Sequence, residues 1–303
     1  MMTGFESRRV ATSQGGVFVQ LAGTGLPLLL LHGFPQTSLM WRDVGLLLAR
    51  HFTVIAADLP GYGASDCPPA GQGHEAMSKR AMATTLVEAM AVLGYDRFAI
   101  AGHDRGGRVA YRAALDHPDT VTKVAVLDVI PTFEAWDRAD ARLALAFWPF
   151  SLLAQPAPLP ERLIAAAPEA IIDNALREWG SPPEVFARTV RDSYADALRD
   201  PAHIHAICEE YRAAAAVDRE HDRADLEAGR QIACSLLALW SAHGGLANWY
   251  GDAGGPLGIW RRWAKDVHGH AVDGGHFFPE EMPEATAGLL RDFFEREGAV
   301  ERS

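Results

Sequence analysis

AIAGHDRGGRVAYRAA, residues 99–114, decides the fold. An apolar run ends at Ala101, and a pattern typical of a helix runs over Gly106–Asp116. Between them, Gly102, His103, Asp104, Arg105 and Gly106 have the form Gly-x-Asp-x-Gly. Small residues on either side of such a strand-to-helix elbow let the backbone turn sharply and leave the central side chain exposed above a sheet. Here that side chain is a carboxylate. Two readings are open: Asp104 is a helix cap, or it is a nucleophile kept ionised by the helix N-terminus.

Working outward, the chain alternates short apolar runs with amphipathic stretches. Val17–Leu21, Leu28–Leu31, Thr53–Ala57, Phe98–Ala101 and Val121–Leu127 read as strands, with helices over Leu39–Ala49 and Met77–Leu93. "DLPGYGASD" marks a long turn. The alternation predicts an α/β fold with a mostly parallel central sheet and helices on both faces. From Pro131 to Leu226 no strand-like run occurs and the pattern is helical, broken at "QPAPLP" and "GSPPE". The expected organisation is a first core part over 1–130, a helical cap over 131–228, and a second core part over 229–303. The last part holds "QIACSLLALWS", a strand at Val267–Val272 and a closing helix at Glu280–Glu297.

The 303 residues are 49% hydrophobic and carry a formal charge of −11. That balance argues against a nucleic-acid or anionic-membrane partner, since both call for a basic surface. It leaves room for a small anionic substrate held by a few arginines. Cys67, Cys208 and Cys234 are odd in number and widely spaced, which predicts neither a disulfide framework nor a zinc site and points to a reducing cytoplasm. "MMTGFESRRV" has no signal-peptide pattern, and "PLLLLHGF" is too short to span a bilayer. His205, His243 and His268 have no metal-ligand spacing, and no cofactor is expected.

Other groups fall where an elbow nucleophile needs them. "HGFP", His32–Pro35, follows the second strand, and the backbone N–H of Phe34 could join that of Arg105 in an oxyanion hole. His276 in "DGGHFF" follows the last strand, the place of a general base. Asp128, ending "VAVLD", is the candidate to orient it, the alternative being a cap at the start of the inserted segment. Arg105 and Arg108, three apart on one helix, can converge on a carboxylate; the alternative is pairing with Asp116 or Asp119 at the surface.

Taken together, "HGFPQT", "DLPGYGASD", "GHDRGGR", "LDVIPT", "YRAAA", "EHD" and "GGHFF" resemble the haloacetate (fluoroacetate) dehalogenases of the α/β-hydrolase superfamily, in order from about Gln20 to Gly298. The resemblance implies the α/β-hydrolase fold and hydrolysis of a haloacetate to glycolate and halide. Asp104 would displace halide and form an ester, and water activated by an Asp128–His276 pair would hydrolyse it. Arg105 and Arg108 would bind the substrate carboxylate, and the protein would be a homodimer.

Tyr211 matches a halide-binding tyrosine of that family, and Trp179 a tryptophan lining its substrate access. The family's His-Trp halide donors, however, fall on Pro149 and Phe150, with Trp148 one step away and able to offer its indole N–H. Fluoride needs strong hydrogen bonds as it leaves, so chloro- and bromoacetate are expected to be favoured over fluoroacetate. Two alternatives remain: an epoxide hydrolase using the same Asp nucleophile with Tyr194 and Tyr211 as acids, and a non-catalytic small-ligand receptor.

Overall fold

A computed structural model of the protein describes residues 1–69 and 71–296. Its frame is one eight-stranded sheet in the order β1-β2-β4-β3-β5-β6-β7-β8. The strands are β1 (Glu6–Thr12), β2 (Gly15–Ala22), β3 (Leu26–Leu31), β4 (Phe52–Ala57), β5 (Phe98–His103), β6 (Val121–Leu127), β7 (Leu236–Ser241) and β8 (Val267–Val272). β1 and β2 form an antiparallel ribbon that joins β4 antiparallel, and every pair from β4 to β8 is parallel. The expected fold class is borne out.

Unbroken apolar strands suit this sheet because both faces are covered. Leu28 and Leu30 pack with Trp41, Val44, Leu290 and Phe293 on one face. Leu29 and Leu31 pack with Met82, Leu86 and Val109 on the other. The first face is covered by α1 (Arg42–Leu48) and the second by α2 (Lys79–Val92) and α3 (Arg105–Asp116). Leu39–Ala49, expected as one helix, is instead a 3₁₀ turn over Ser38–Trp41 followed by α1.

Between β6 and β7 the described chain is helical throughout. The insertion comprises α4 (Thr132–Asp137), α5 (Ala141–Ala146), α6 (Trp148–Leu153), α7 (Leu159–Ala166), α8 (Pro168–Glu178), α9 (Arg188–Ala197), α10 (Pro201–Ala215) and α11 (Val217–Glu227). Beyond β7 come α12 (Gly245–Trp249) and α13 (Gly255–Trp260). The closing helix expected over Glu280–Glu297 is two, α14 (Phe278–Glu281) and α15 (Pro283–Glu295), split where Pro283 starts a new first turn. Glu297 and the rest of 297–303, with Gly298, lie outside the described residues. No helix among the described residues is long and apolar enough to cross a membrane.

The insertion is joined to the core by buried charge. Arg112 of α3 donates to Asp222 and Asp225 of α11, and Lys79 of α2 meets Asp218 of α11. Each of these side chains is at most 5% exposed. Such pairs add little net stability over apolar packing, but leaving one partner alone is costly, so they fix one docking geometry.

Candidate active site

At the end of β5 the chain turns over a single residue. Asp104 takes φ 45° and ψ −112°, a conformation that costs about 1–3 kcal/mol for a non-glycine residue and persists only where its surroundings impose it. A Cβ on Gly102 would lie 2.2 Å from the Gly106 carbonyl oxygen, and one on Gly106 would lie 2.4 Å from that of His32. The glycines are therefore what allows the elbow to close. The Asp104 side chain makes no capping hydrogen bond to α3, which removes the cap reading. Its Oδ2 accepts from the Phe34 N–H at 3.1 Å instead, and the Arg105 N–H follows as the first of the helix.

Two other strand ends bring the remaining groups. His276 donates from Nδ1 to Asp128 Oδ2 at 2.6 Å, and the Ser241 N–H donates to Asp128 Oδ1 at 2.9 Å. That pairing leaves His276 Nε2 as the basic nitrogen. His276 is held through its backbone as well: its carbonyl accepts from His103 Nε2 at 2.7 Å, and its N–H donates to the Trp179 carbonyl at 2.9 Å. The supporting role of His103 has no signature in the sequence. Burial and the neighbouring His276 push its pKa down to about 4, so it remains neutral and donates as a fixed strut.

Burial opposes the charge on Asp104, but His276, Arg105 and Arg108 outweigh it and hold the carboxyl below its ordinary range. Burial likewise pulls His276 down, while the hydrogen bond and charge of Asp128, with Asp104, raise it above 6.5. A base must be neutral to accept a proton, so base-dependent turnover is expected to rise with pH as His276 loses its proton, with no second limb from Asp104 in the neutral range. The pH profile of kcat checks this, and a rate that falls with rising pH in the neutral range would contradict it. The stability sign is opposite: the folded state favours protonated His276, and that contribution fades as pH rises through the folded pKa.

Arg105 and Arg108 are both buried, at 1% and 4% exposure, so neither is a surface arginine paired with Asp116 or Asp119. They differ in occupation. Arg105 Nε donates to both oxygens of Glu210 at 2.9 Å, and Nη2 donates to Oε1 at 2.5 Å. Only its Nη1 has no partner among the described residues. Arg108 has none at either Nε or Nη1. A buried guanidinium with unmet donors is costly unless something anionic joins it.

The inserted helices bring aromatic rings. Phe150 lies over both guanidiniums, 5.8 Å from Arg105 and 5.3 Å from Arg108, and the Tyr211 ring lies 4.1 Å from Arg105. The expected indole donor is not available: Trp148 Nε1 donates to Asn174 Oδ1 at 2.8 Å. Trp179 Nε1 is spent on the Ala146 carbonyl at 3.0 Å, while its ring meets His276 edge-on at 5.5 Å. Pro149 is buried and lines neither cavity described below. Tyr194 is elsewhere, its hydroxyl donating to Glu280 at 3.1 Å, so the expected tyrosine pair is not assembled.

A cavity of about 40 Å³ is lined by Asp104, Arg108, Phe147, Phe150, Tyr250 and His276 among others. Outside it, a cleft of about 510 Å³ reaches His276 and Asp128 past Trp148, Trp179 and Trp249. Tyr250 carries no motif that marks it as a site residue in the sequence. His205, His243 and His268 pair with Glu161, Asp273 and Asp266. Among the described residues no group of three His, Cys, Asp or Glu side chains is arranged to hold a metal ion.

Comparison with known proteins finds a model for the α/β hydrolase fold matching residues 27–200. A fluoroacetate dehalogenase from Burkholderia sp is 41% identical over 97% of this chain and 95% of its own. A soluble epoxide hydrolase from Corynebacterium sp. (strain C12) is 32% identical over 90% of this chain and 91% of its own. Among solved structures, a provisionally assigned α/β hydrolase from Nostoc sp PCC 7120 has a TM-score of 0.94 and 43% identity, covering 98% of this chain and all of its own. A mutant of a provisionally assigned epoxide hydrolase from Pseudomonas aeruginosa, with bound MFA, has a TM-score of 0.90 and 42% identity, covering 97% of both chains.

Proposed function

Because this chain belongs to the α/β hydrolase family, we propose that it is a hydrolase of small 2-haloacids, cleaving a carbon–halogen bond in two displacements at Asp104. The observation that carries this reading is the pairing, in one cavity, of an ionised elbow carboxylate with the unpartnered guanidinium of Arg108. In haloacetate the carboxylate and the electrophilic carbon are adjacent, so one molecule answers both groups. Arg108 and Arg105 Nη1 receive the carboxylate, and one Asp104 oxygen attacks the carbon from the side opposite the halogen. The carbon–halogen bond breaks as the ester forms, and halide leaves with the bonding pair. His276 Nε2 then takes a proton from water, whose oxygen attacks the ester carbonyl rather than the substrate carbon. The Phe34 and Arg105 N–H groups hold the oxyanion, and its collapse breaks the ester C–O bond; the departing glycolate oxygen takes the proton back from His276, and Asp104 is restored carrying the water oxygen.

The halide side of the pocket favours heavier halogens. Phe150 lines the cavity, the indoles of Trp148 and Trp179 donate elsewhere, and the Tyr211 hydroxyl is the remaining donor suggested by family resemblance. Each missing donor to a developing fluoride costs about 3 kcal/mol of transition-state stabilisation. Chloride and bromide release from chloro- and bromoacetate is therefore expected to exceed fluoride release from fluoroacetate by about 100-fold in kcat/KM. Ion-release assays on the three acids test both statements. Comparable rates would refute the halogen preference, and no halide from any of them would refute the dehalogenase reading.

The second reading is an epoxide hydrolase, supported by the 32% identical relative. The Arg108 guanidinium, without a partner among the described residues in the cavity beside the nucleophile, weighs against a neutral epoxide, which gains little from it. Turnover of a styrene-type epoxide in preference to chloroacetate would reverse this ranking.

A further inference from the structure

The arginine next to the nucleophile is already partly committed before any ligand arrives. Glu210 of α10 takes its Nε and Nη2, is itself 0% exposed, and also pairs with Lys79 Nζ. Lys79 in turn meets Asp218 Oδ2 at 3.2 Å and donates its backbone N–H to Oδ1 at 2.8 Å. Two cations and two anions from α2, α3, α10 and α11 thus close on one another away from water. The residue after Glu210 is Tyr211, whose ring covers the face of the same guanidinium at 4.1 Å. Arg105 is therefore held along one edge and on one face, with Nη1 left over.

An unrestrained arginine gives up rotamer entropy when it clamps a ligand. Fixing it in the free protein moves that cost to folding. Glu210 also cancels the charge of Arg105, so the uncompensated cation at the cavity is Arg108. We propose that Glu210 is a positioning residue for anion capture: it holds Arg105 so that Nη1 and the free edge of Arg108 together receive a single carboxylate. Burial opposes its ionisation, and Arg105 and Lys79 outweigh burial to keep it charged.

The inference rests on the reading of this site as one for a small carboxylate, and it is tested by a measurement that needs no turnover. Glycolate binding followed by calorimetry is expected to weaken about tenfold in Glu210→Gln and about threefold in Glu210→Asp, which keeps the charge but shortens its reach. Arg105→Lys with Glu210→Gln is expected to bind glycolate no more weakly than Arg105→Lys alone, because Glu210 acts through Arg105. In halide release from chloroacetate the Glu210 effect should fall on KM, leaving kcat within about threefold. Glycolate affinity within twofold of the parent in both Glu210 variants, or losses that add in the double variant, would overturn the proposal. If Glu210→Gln does not fold, Glu210→Asp alone and combined with Arg105→Lys decides by the same criteria. Normal glycolate binding without halide release would instead sink the dehalogenase reading and leave Glu210 to be judged on affinity.

Discussion

Replacing His276 with asparagine is expected to stop the protein after one turnover, with halide released once per active site and a carboxymethyl ester left on Asp104. The imidazole does not touch the first displacement, which needs only the carboxylate and the bound acid. It enters when water must lose a proton, and removing such a base costs about 10²–10⁴ in rate. Asparagine keeps the approximate shape, so Asp128 and Trp179 retain a neighbour and the fold should survive. Mass spectrometry of the peptide carrying Asp104 reads the outcome. Steady multiple turnover, or a bare Asp104 peptide after the burst, would show that the two-step route is wrong. A single turnover of the parent protein in heavy-oxygen water offers an independent view, with the label expected in Asp104.

Arg108→Met should do two opposite things. Losing a buried, charge-assisted partner of the substrate carboxylate costs about 3–4 kcal/mol, or 10²–10³ in kcat/KM for chloroacetate. The free protein, however, should become more stable by about 1–2 kcal/mol, because a desolvated guanidinium with two unmet donors is replaced by an apolar side chain of similar length. Methionine also keeps contact with Phe150, over which the guanidinium now lies at 5.3 Å. Kinetics and thermal unfolding of one variant check both halves. A destabilised variant, or one that processes chloroacetate normally, would mean that Arg108 is structural rather than a site held open for an anion.

Much of this was legible in the sequence because the informative features are local. The elbow needs glycines at fixed offsets, and unbroken apolar runs announce strands covered on both faces. β1 was not visible: ESRRVAT lies at the sheet edge with only Val10 buried, so it has no apolar signature. The site's carboxylate, base and guanidiniums were legible as candidates through their positions after strands. What those groups touch was not. Arg105 meets Glu210 across 105 positions, and His103 supports His276 across 173. The Trp148 indole, an apparent donor one step from the expected position, turns to Asn174 of α8. Local pattern places a side chain on an element, whereas tertiary packing decides where its polar end is spent.

The backbone bond from His276 to Trp179 ties the basic residue directly to the inserted helices. Lifting those helices as a body would drag the imidazole from Asp128 and strip four buried acids, Glu210, Asp218, Asp222 and Asp225, of their cationic partners. With the insertion docked, the outer cleft edged by Trp148, Trp179 and Trp249 is an approach to the imidazole. The spacing of those rings then limits the bulk of what can reach the floor of the site.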